Sequence, residues 1–203
     1  MHASQQPTVD RRRTVGDDPA APGLRRGAAG YEIRPARRSD ADGARSVMLD
    51  TFYEVFGHGY SPKWHHDVID MSATYFDHPR QALFVAARGD EVVGTAAVRA
   101  DGPKSPPHPG WLAERYPSGS TAQIFRVYVR PEHRRHGLAR GLVETACRFV
   151  ADTPGYERIY LHTNAGIDGA EPFWRGIADE IFDGRNDPAH SPAVHFEIPI
   201  GRF

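Results

Sequence analysis

The residues with the most chemical content run from Arg126 to Arg140, Arg-Val-Tyr-Val-Arg-Pro-Glu-His-Arg-Arg-His-Gly-Leu-Ala-Arg. Arginine stands at 126, 130, 134, 135 and 140, against the single acid Glu132. A strand-like run enters a short basic turn, and a glycine then opens a helical pattern. Such a helix start carries backbone N–H groups without acceptors at the positive end of the helix dipole. Gly137 lets an anion approach the backbone without a Cβ in the way, and Arg134, Arg135 and Arg140 raise the local potential. The chemistry this supports is the binding of a phosphorylated cofactor. The turn has neither the Gly-Lys-Ser/Thr of a nucleotide-hydrolysing loop nor the spaced glycines of a dinucleotide fingerprint, which disfavours phosphoryl and hydride transfer.

A loop of this kind has to be held by a sheet and helices. Residues 31–35 alternate as a strand ended by Pro35. Ser39 is placed to cap a helix running towards Glu54, with Asp40 and Asp42 in its first turn. Ser61-Pro62 reads as a second helix start, with Trp64, Val68, Met71 and Tyr75 on one apolar face. Residues 82–87 and 91–98 form a hairpin about Arg88-Gly89-Asp90. The proline-rich stretch 101–119 reads as loop throughout, and its length marks it for function; we expect it to lie over the acceptor side of the site. A strand at 122–129 leads through Pro131 into a helix over 138–151, apolar at Leu138, Leu142, Cys147, Phe149 and Val150. A strand at 158–163, a short helix at 169–177 and a final strand at 194–199 follow. This order predicts an α/β fold, a mixed sheet with helices on both faces.

Composition bounds the rest. The 203 residues carry 25 Lys+Arg against 26 Asp+Glu, a net charge of −1, so no broad surface for nucleic acid is expected. Residues 1–30 lack large apolar side chains and any periodicity, which predicts a disordered tail before a single domain at 31–203. No apolar segment follows Arg11-Arg12-Arg13, so an export signal is not indicated and a cytoplasmic location is expected. The longest apolar run, residues 82–87, is too short to span a bilayer, and no membrane partner is expected. Cys147 is the only cysteine; it reads as a small core residue, and no metal cofactor is expected.

Arg134-Arg135-His136-Gly137-Leu138-Ala139 resembles the acyl-CoA-binding motif of the GNAT superfamily of N-acetyltransferases, Arg/Gln-x-x-Gly-x-Gly/Ala. The lead-in Val127-Tyr128-Val129-Arg130-Pro131-Glu132-His133 and the element order over residues 31–199 resemble the same family. The resemblance implies a mostly antiparallel GNAT-like sheet and acetyl-CoA as acyl donor. It also implies direct transfer to the primary amine of a small-molecule or peptide acceptor, and it allows a homodimer. It places the backbone of Val127, Tyr128 and Val129 against the pantetheine arm and the pyrophosphate on the amides of Arg134, Arg135, His136, Gly137, Leu138, Ala139 and Arg140. Asn164 matches a position that often contacts the CoA arm; equally, it reads as an Asn ending a strand in a turn.

Two positions depart from the family pattern. Gln123 stands where a glutamate often serves as general base, and Trp174 stands where a tyrosine often protonates the departing thiolate. A catalytically degenerate acyl-CoA sensor is therefore the alternative reading, and the catalytic residues stay unassigned. His162 is a substitute base, and His58, His65 and His66 lie in the acceptor-side region. Glu54, Asp67, Asp70 and Glu114 are candidates to attract a cationic acceptor, and Trp64 and Trp111 to floor its pocket.

Overall fold

The computed structural model describes residues 25–26 and 30–203. Its strands in chain order are β1 (Arg25–Arg26), β2 (Tyr31–Pro35), β3 (Ala82–Arg88), β4 (Glu91–Arg99), β5 (Thr121–Val129), β6 (Arg158–Asn164), β7 (Asp179–Asp183) and β8 (Ala193–Ile198). They form one sheet in the order β1-β2-β3-β4-β5-β6-β8-β7, antiparallel except for the β5–β6 pair. The expected tail, residues 1–30, falls outside the described residues apart from Gly30 and Arg25–Arg26, and the latter pair with β2.

The helices are α1 (Ala41–Asp50), α2 (His66–Ile69), α3 (Gly110–Arg115), α4 (Leu138–Asp152) and α5 (Ala170–Arg175). Side chains alternate across β3, so Phe84 and Ala86 bury against the α4 side while Leu83 and Val85 bury against the α1–α2 side. Both faces are thus covered, which is why residues 82–87 read as a continuous apolar run. Among the described residues no helix is long and apolar enough to cross a membrane.

The structure corrects the sequence reading at four places. Ser39 is not the cap: Asp40 accepts the Arg37 N–H at 2.6 Å while its two oxygens pair with Arg34 at 2.5 and 3.0 Å, and a short 3-10 turn precedes α1. The second helix is broken into α2 and a π-turn, Ser72–Phe76; Val68, Met71 and Tyr75 are buried as expected, but Trp64 is 60% exposed, with the Lys63 ammonium over its ring. The stretch 101–119 is not all loop, because α3 forms there and buries Leu112 and Tyr116 against Tyr160. Strand β7 went unread because Asp-Glu-Ile-Phe-Asp is charged at both ends, as suits a strand at a sheet edge.

Candidate active site

The basic turn is built as its sequence implies. β5 ends at Val129, Pro131 opens a short 3-10 turn, and α4 begins after Gly137. Arg135 and Gly137 both take positive φ, 67° and 73°. Two left-handed residues this close curl the backbone into a concave row of amides, and for Arg135 that conformation carries strain of the kind found at ligand clamps. The N–H of Gly141 is bonded to the Gly137 carbonyl at 3.0 Å, so the amides of Leu138, Ala139 and Arg140 precede the first bond of the helix. The turn is anchored from below, where the Tyr31 hydroxyl and His133 Nδ1 are 2.8 Å apart and the Tyr31 and His136 rings lie 5.3 Å apart. Arg134, Arg135, His136, Gly137 and Arg140 stay exposed.

A cavity of about 420 Å³ opens there, with Arg134, Arg135, Gly137, Leu138, Ala139 and Arg140 on one side and the apolar wall of Pro172, Phe173 and Ile177 on the other. A Cβ on Gly137 would stand in open space, with no atom within 4 Å. These residues fit a phosphorylated group carrying an apolar portion.

The second element is a gap in the sheet. β5 and β6 pair only from Thr121 to Gln123 on one strand and from Arg158 to Tyr160 on the other. Beyond that point residues 124–129 of β5 have, among the described residues, no partner strand on the β6 side, while β6 stays paired with β8 as far as Asn164. On its other edge β5 stays paired with β4, interrupted by a bulge in which Arg126 and Val127 oppose Ala96. Arg126 takes φ 54°, and its displaced carbonyl accepts the Thr95 hydroxyl at 2.8 Å. The gap therefore brings Val127, Tyr128 and Val129 into line with the amide-lined turn. Arg134 Nε donates to the Val129 carbonyl at 3.1 Å, fastening turn to strand. Asn164 lies at the far end of β6, where its side-chain oxygen accepts the Gly166 N–H at 2.9 Å, the turn-ending role.

Where the strands part, register lines up one row of side chains: Arg99, Gln123, Tyr160 and Glu197 are successive Cα partners on β4, β5, β6 and β8. Gln123 is 2% exposed. Its Oε1 accepts both Arg99 Nε and Nη2, at 2.9 and 2.7 Å, so its amide nitrogen points to His162 Nδ1, 3.4 Å away. The Tyr160 hydroxyl bridges His162 Nδ1 at 3.2 Å and His195 Nδ1 at 2.7 Å. The 101–119 stretch delivers His108, whose ring lies 4.8 Å from that of His162 and 4.9 Å from that of His195. His162 is exposed, yet the protein packed around it and the neighbouring imidazoles lower its pKa to about 3. Burial, then His108, lowers His195 to about 4. Among the described residues no group of three or more His, Cys, Asp or Glu is arranged to hold a metal ion.

Next to this row a second cavity, of about 310 Å³, is lined by Asp67, Arg99, Asp101 and Phe125 among others. Asp67 is buried; Arg126 grips it at 2.7 and 3.0 Å and the Tyr75 hydroxyl donates to it at 2.7 Å. Burial pushes its carboxyl up, but the Arg126 and Tyr75 contacts more than offset that and hold it below the usual carboxylate range.

Of the acceptor-side candidates, His66 and Asp67 line this cavity, while Glu54, Asp70 and Glu114 are exposed. His65 is buried, stacked on Phe52 and accepting the Ser61 N–H at 2.9 Å, and His58 stacks behind it. Trp111 is half exposed against Phe182, and Trp174 is packed in the main core. Cys147 is a core residue, its thiol pushed up to about 12 by burial. Sequence reasoning missed Arg99, His108 and His195. Nothing local marks them; strand register and the fold of the 101–119 stretch bring them together.

A model of the Acetyltransferase (GNAT) family matches residues 46–177. N-acetyltransferase 8B of Rattus norvegicus is 32% identical over 114 residues, 56% of this chain and 46% of the relative. N-acetyltransferase 8 of Homo sapiens is 32% identical over 98 residues, 48% and 37% of the two chains. The chain thus spans less than half the length of these relatives. Among solved structures, a GNAT-family acetyltransferase from Staphylococcus aureus Mu50 superposes with a TM-score of 0.61 at 14% identity, over 83% of this chain and 99% of the other. PaiA N-acetyltransferase from Thermoplasma acidophilum, solved in complex with coenzyme A, gives 0.56 at 13% identity, over 83% and 98%. The fold is shared with both, and with its family match across more than half of its length the chain belongs to the GNAT acetyltransferase family.

Proposed function

We propose that the protein is an N-acetyltransferase that moves the acetyl group of acetyl-CoA directly to a primary amine. The observation that carries this reading is the parting of β5 and β6 after Gln123 and Tyr160, next to an amide-lined turn at the start of α4. An extended pantetheine arm fits the unpaired edge at Val127–Tyr128–Val129 as an added strand, and the pyrophosphate fits the amides from Arg134 to Arg140.

The chain's own groups then serve one balanced step. The neutral amine attacks the thioester carbon, the N–C bond forms, the C–S bond breaks, the thiolate departs and the amine gives up a proton. A free backbone N–H on the β6 side of β5 answers the developing oxyanion. Most of the rate comes from holding amine and thioester together between the two strands. Gln123 cannot take the proton, and His162, neutral at pH 7 but with its pKa lowered to about 3, is too weak a base to hold it, so the proton passes on to solvent. Trp174 is in the core and donates nothing, which a thiolate leaving group with a pKa of about 8.5 tolerates.

The Arg99 grip on Gln123 and the burial of Trp174 also favour a second reading, a sensor that binds acyl-CoA without turnover. Thermal stabilisation by acetyl-CoA, with none by ATP or NAD, is expected under both readings. Release of CoA thiol across a panel of amines separates them: turnover of any amine supports the enzyme, and silence from protein that binds acetyl-CoA leaves the sensor.

A further inference from the structure

Two carboxylates and one guanidinium line the cavity above β4, and the guanidinium is the one of the three without a bonded counter-ion among the described residues. Each carboxylate is already engaged. Asp67 is gripped by Arg126 and Tyr75. Asp101 Oδ1 accepts the Lys104 ammonium at 2.5 Å, the Ser118 hydroxyl at 2.7 Å and the Gly102 N–H at 3.0 Å. Arg99 differs from both of those cations. Its Nε and Nη2 donate to a neutral amide, Gln123, its guanidinium lies 4.6 Å from the Phe125 ring centroid, and among the described residues no carboxylate forms an ion pair with it. Its Nη1 makes no hydrogen bond among the described residues. A half-buried guanidinium on a cavity wall, with donors left over, is a built site for an anion.

We propose that this cavity takes the acceptor by a carboxylate carried on the amine itself, with Arg99 as the anchor. The inference rests on the acetyltransferase reading and names the acceptor class for it. Asp101 and Asp67 act on Arg99 through space without bonding it, so its free Nη1 can take one carboxylate, while the two nearby negative charges disfavour a doubly charged phosphate. The placement also suits transfer. Arg99 is the cross-strand partner of Gln123, and Gln123 borders the point where β5 and β6 separate. A carboxylate on Nη1 leaves an amine a few bonds away free to reach that opening. Phe125, below the guanidinium, offers an apolar surface for the carbon skeleton between the two groups.

The test uses matched acceptors: L-alanine against L-alaninamide, β-alanine against β-alaninamide, and L-phenylalanine against its amide. Thiol release from acetyl-CoA is compared per neutral amine, because amides lose the ammonium proton at lower pH. The acids are expected to exceed their amides in kcat/KM by about tenfold or more, the worth of a hydrogen bond to a charged group. Arg99→Gln should bring the ratio close to one, Arg99→Lys should restore part of it, and Arg88→Gln at the distant hairpin should leave it intact. Equal rates for acid and amide, or an unchanged ratio in Arg99→Gln, overturn the proposal. Two further readouts separate it from the acetyltransferase reading. Acetyl-CoA binding is followed by thermal shift, and its absence sinks that reading alone. The Arg99 Nε–H resonance is followed by NMR: if no acceptor reacts, a shift with the free amino acids but not the amides still supports the site, and no shift overturns it.

Discussion

Gln123 and Tyr160 are the last residues through which β5 and β6 pair, and their buried side chains start the row that leads to the exposed His162. One register position therefore sets two things: where the sheet opens for an extended ligand and which groups stand at the opening. Gln123 is fixed from one side by Arg99, and Tyr160 is fixed from the other by His195.

Replacing Gln123 by glutamate should not raise the rate. The new carboxylate would sit within hydrogen-bond reach of Arg99 Nε and Nη2, and an opposite charge that close lowers a carboxyl pKa by roughly one to three units. It would be a weak base and would neutralise Arg99. Steady-state kinetics of Gln123→Glu are expected to show kcat unchanged or lower and a raised KM for carboxylated acceptors. An increase in kcat of tenfold would contradict this account of the site.

Gly137→Val places a branched side chain at φ 73°, where non-glycine residues cost roughly 1–2 kcal/mol, and directs it towards the cavity that the turn lines. The variant should lose a few degrees in Tm. Its affinity for acetyl-CoA, measured by calorimetry, should fall by about tenfold or more.

The fold of this domain was legible where the pattern is local. Alternation gave the strands, and the glycine after two arginines gave the turn at the start of α4. What escaped depends on residues distant in sequence. Arg34 draws Asp40 into its ion pair and so displaces Ser39 as the cap. Tyr160 gives Leu112 and Tyr116 something to bury, which turns a proline-rich stretch into α3. The site divides in the same way. Arg134 to Arg140 are contiguous and could be read; Arg99, Gln123, His162 and His195 lie on four strands and meet only through register.

Asp67→Asn leaves the Arg126 guanidinium largely buried without its charge partner. Breaking such a pair from one side costs about 3 kcal/mol or more. Equilibrium denaturation should show that loss at pH 7. The Asp67 carboxyl is held below its unfolded value, so its contribution is present above about pH 4 and disappears as the pH falls through the lowered folded value. The difference between wild type and variant should shrink in that acid range and nowhere above it.

The histidine cluster predicts a second, higher pH window. His195 at about 4 and His162 at about 3 are neutral in the fold, whereas an unfolded histidine titrates near 6.5. Unfolding therefore takes up protons below about pH 6.5, and stability present above that pH is lost as the pH falls towards the folded values. For His195 alone the loss is on the order of 3 kcal/mol. His195→Gln, which keeps an acceptor for Tyr160, should flatten the dependence of Tm on pH between about 6.5 and 4.

Gly102 fixes the loop that brings His108 against His162 and His195. A Cβ there would stand 1.9 Å from the Tyr116 carbonyl oxygen, a backbone atom that cannot swing aside. Gly102→Ala should displace the 101–119 stretch and raise the acceptor KM severalfold, with stabilisation by acetyl-CoA retained. A KM equal to the wild-type value would show that this stretch plays no part on the acceptor side.

Arg126 of β5 and Arg130, the residue after its end, reach across to the α1–α2 side of the sheet, Arg126 to Asp67 in α2 and Arg130 to Asp50 at the end of α1. The strand proposed to hold the acyl donor is thus riveted to α2, whose His66 and Asp67 line the proposed acceptor cavity, and just past its end to α1. Neither helix can swing outwards without breaking one of these ion pairs, so donor and acceptor are presented by one mechanical unit. Selection for a new acceptor is then free to alter the side chains that line the cavity, but the Arg126–Asp67 rivet confines the α2 wall to the position β5 dictates.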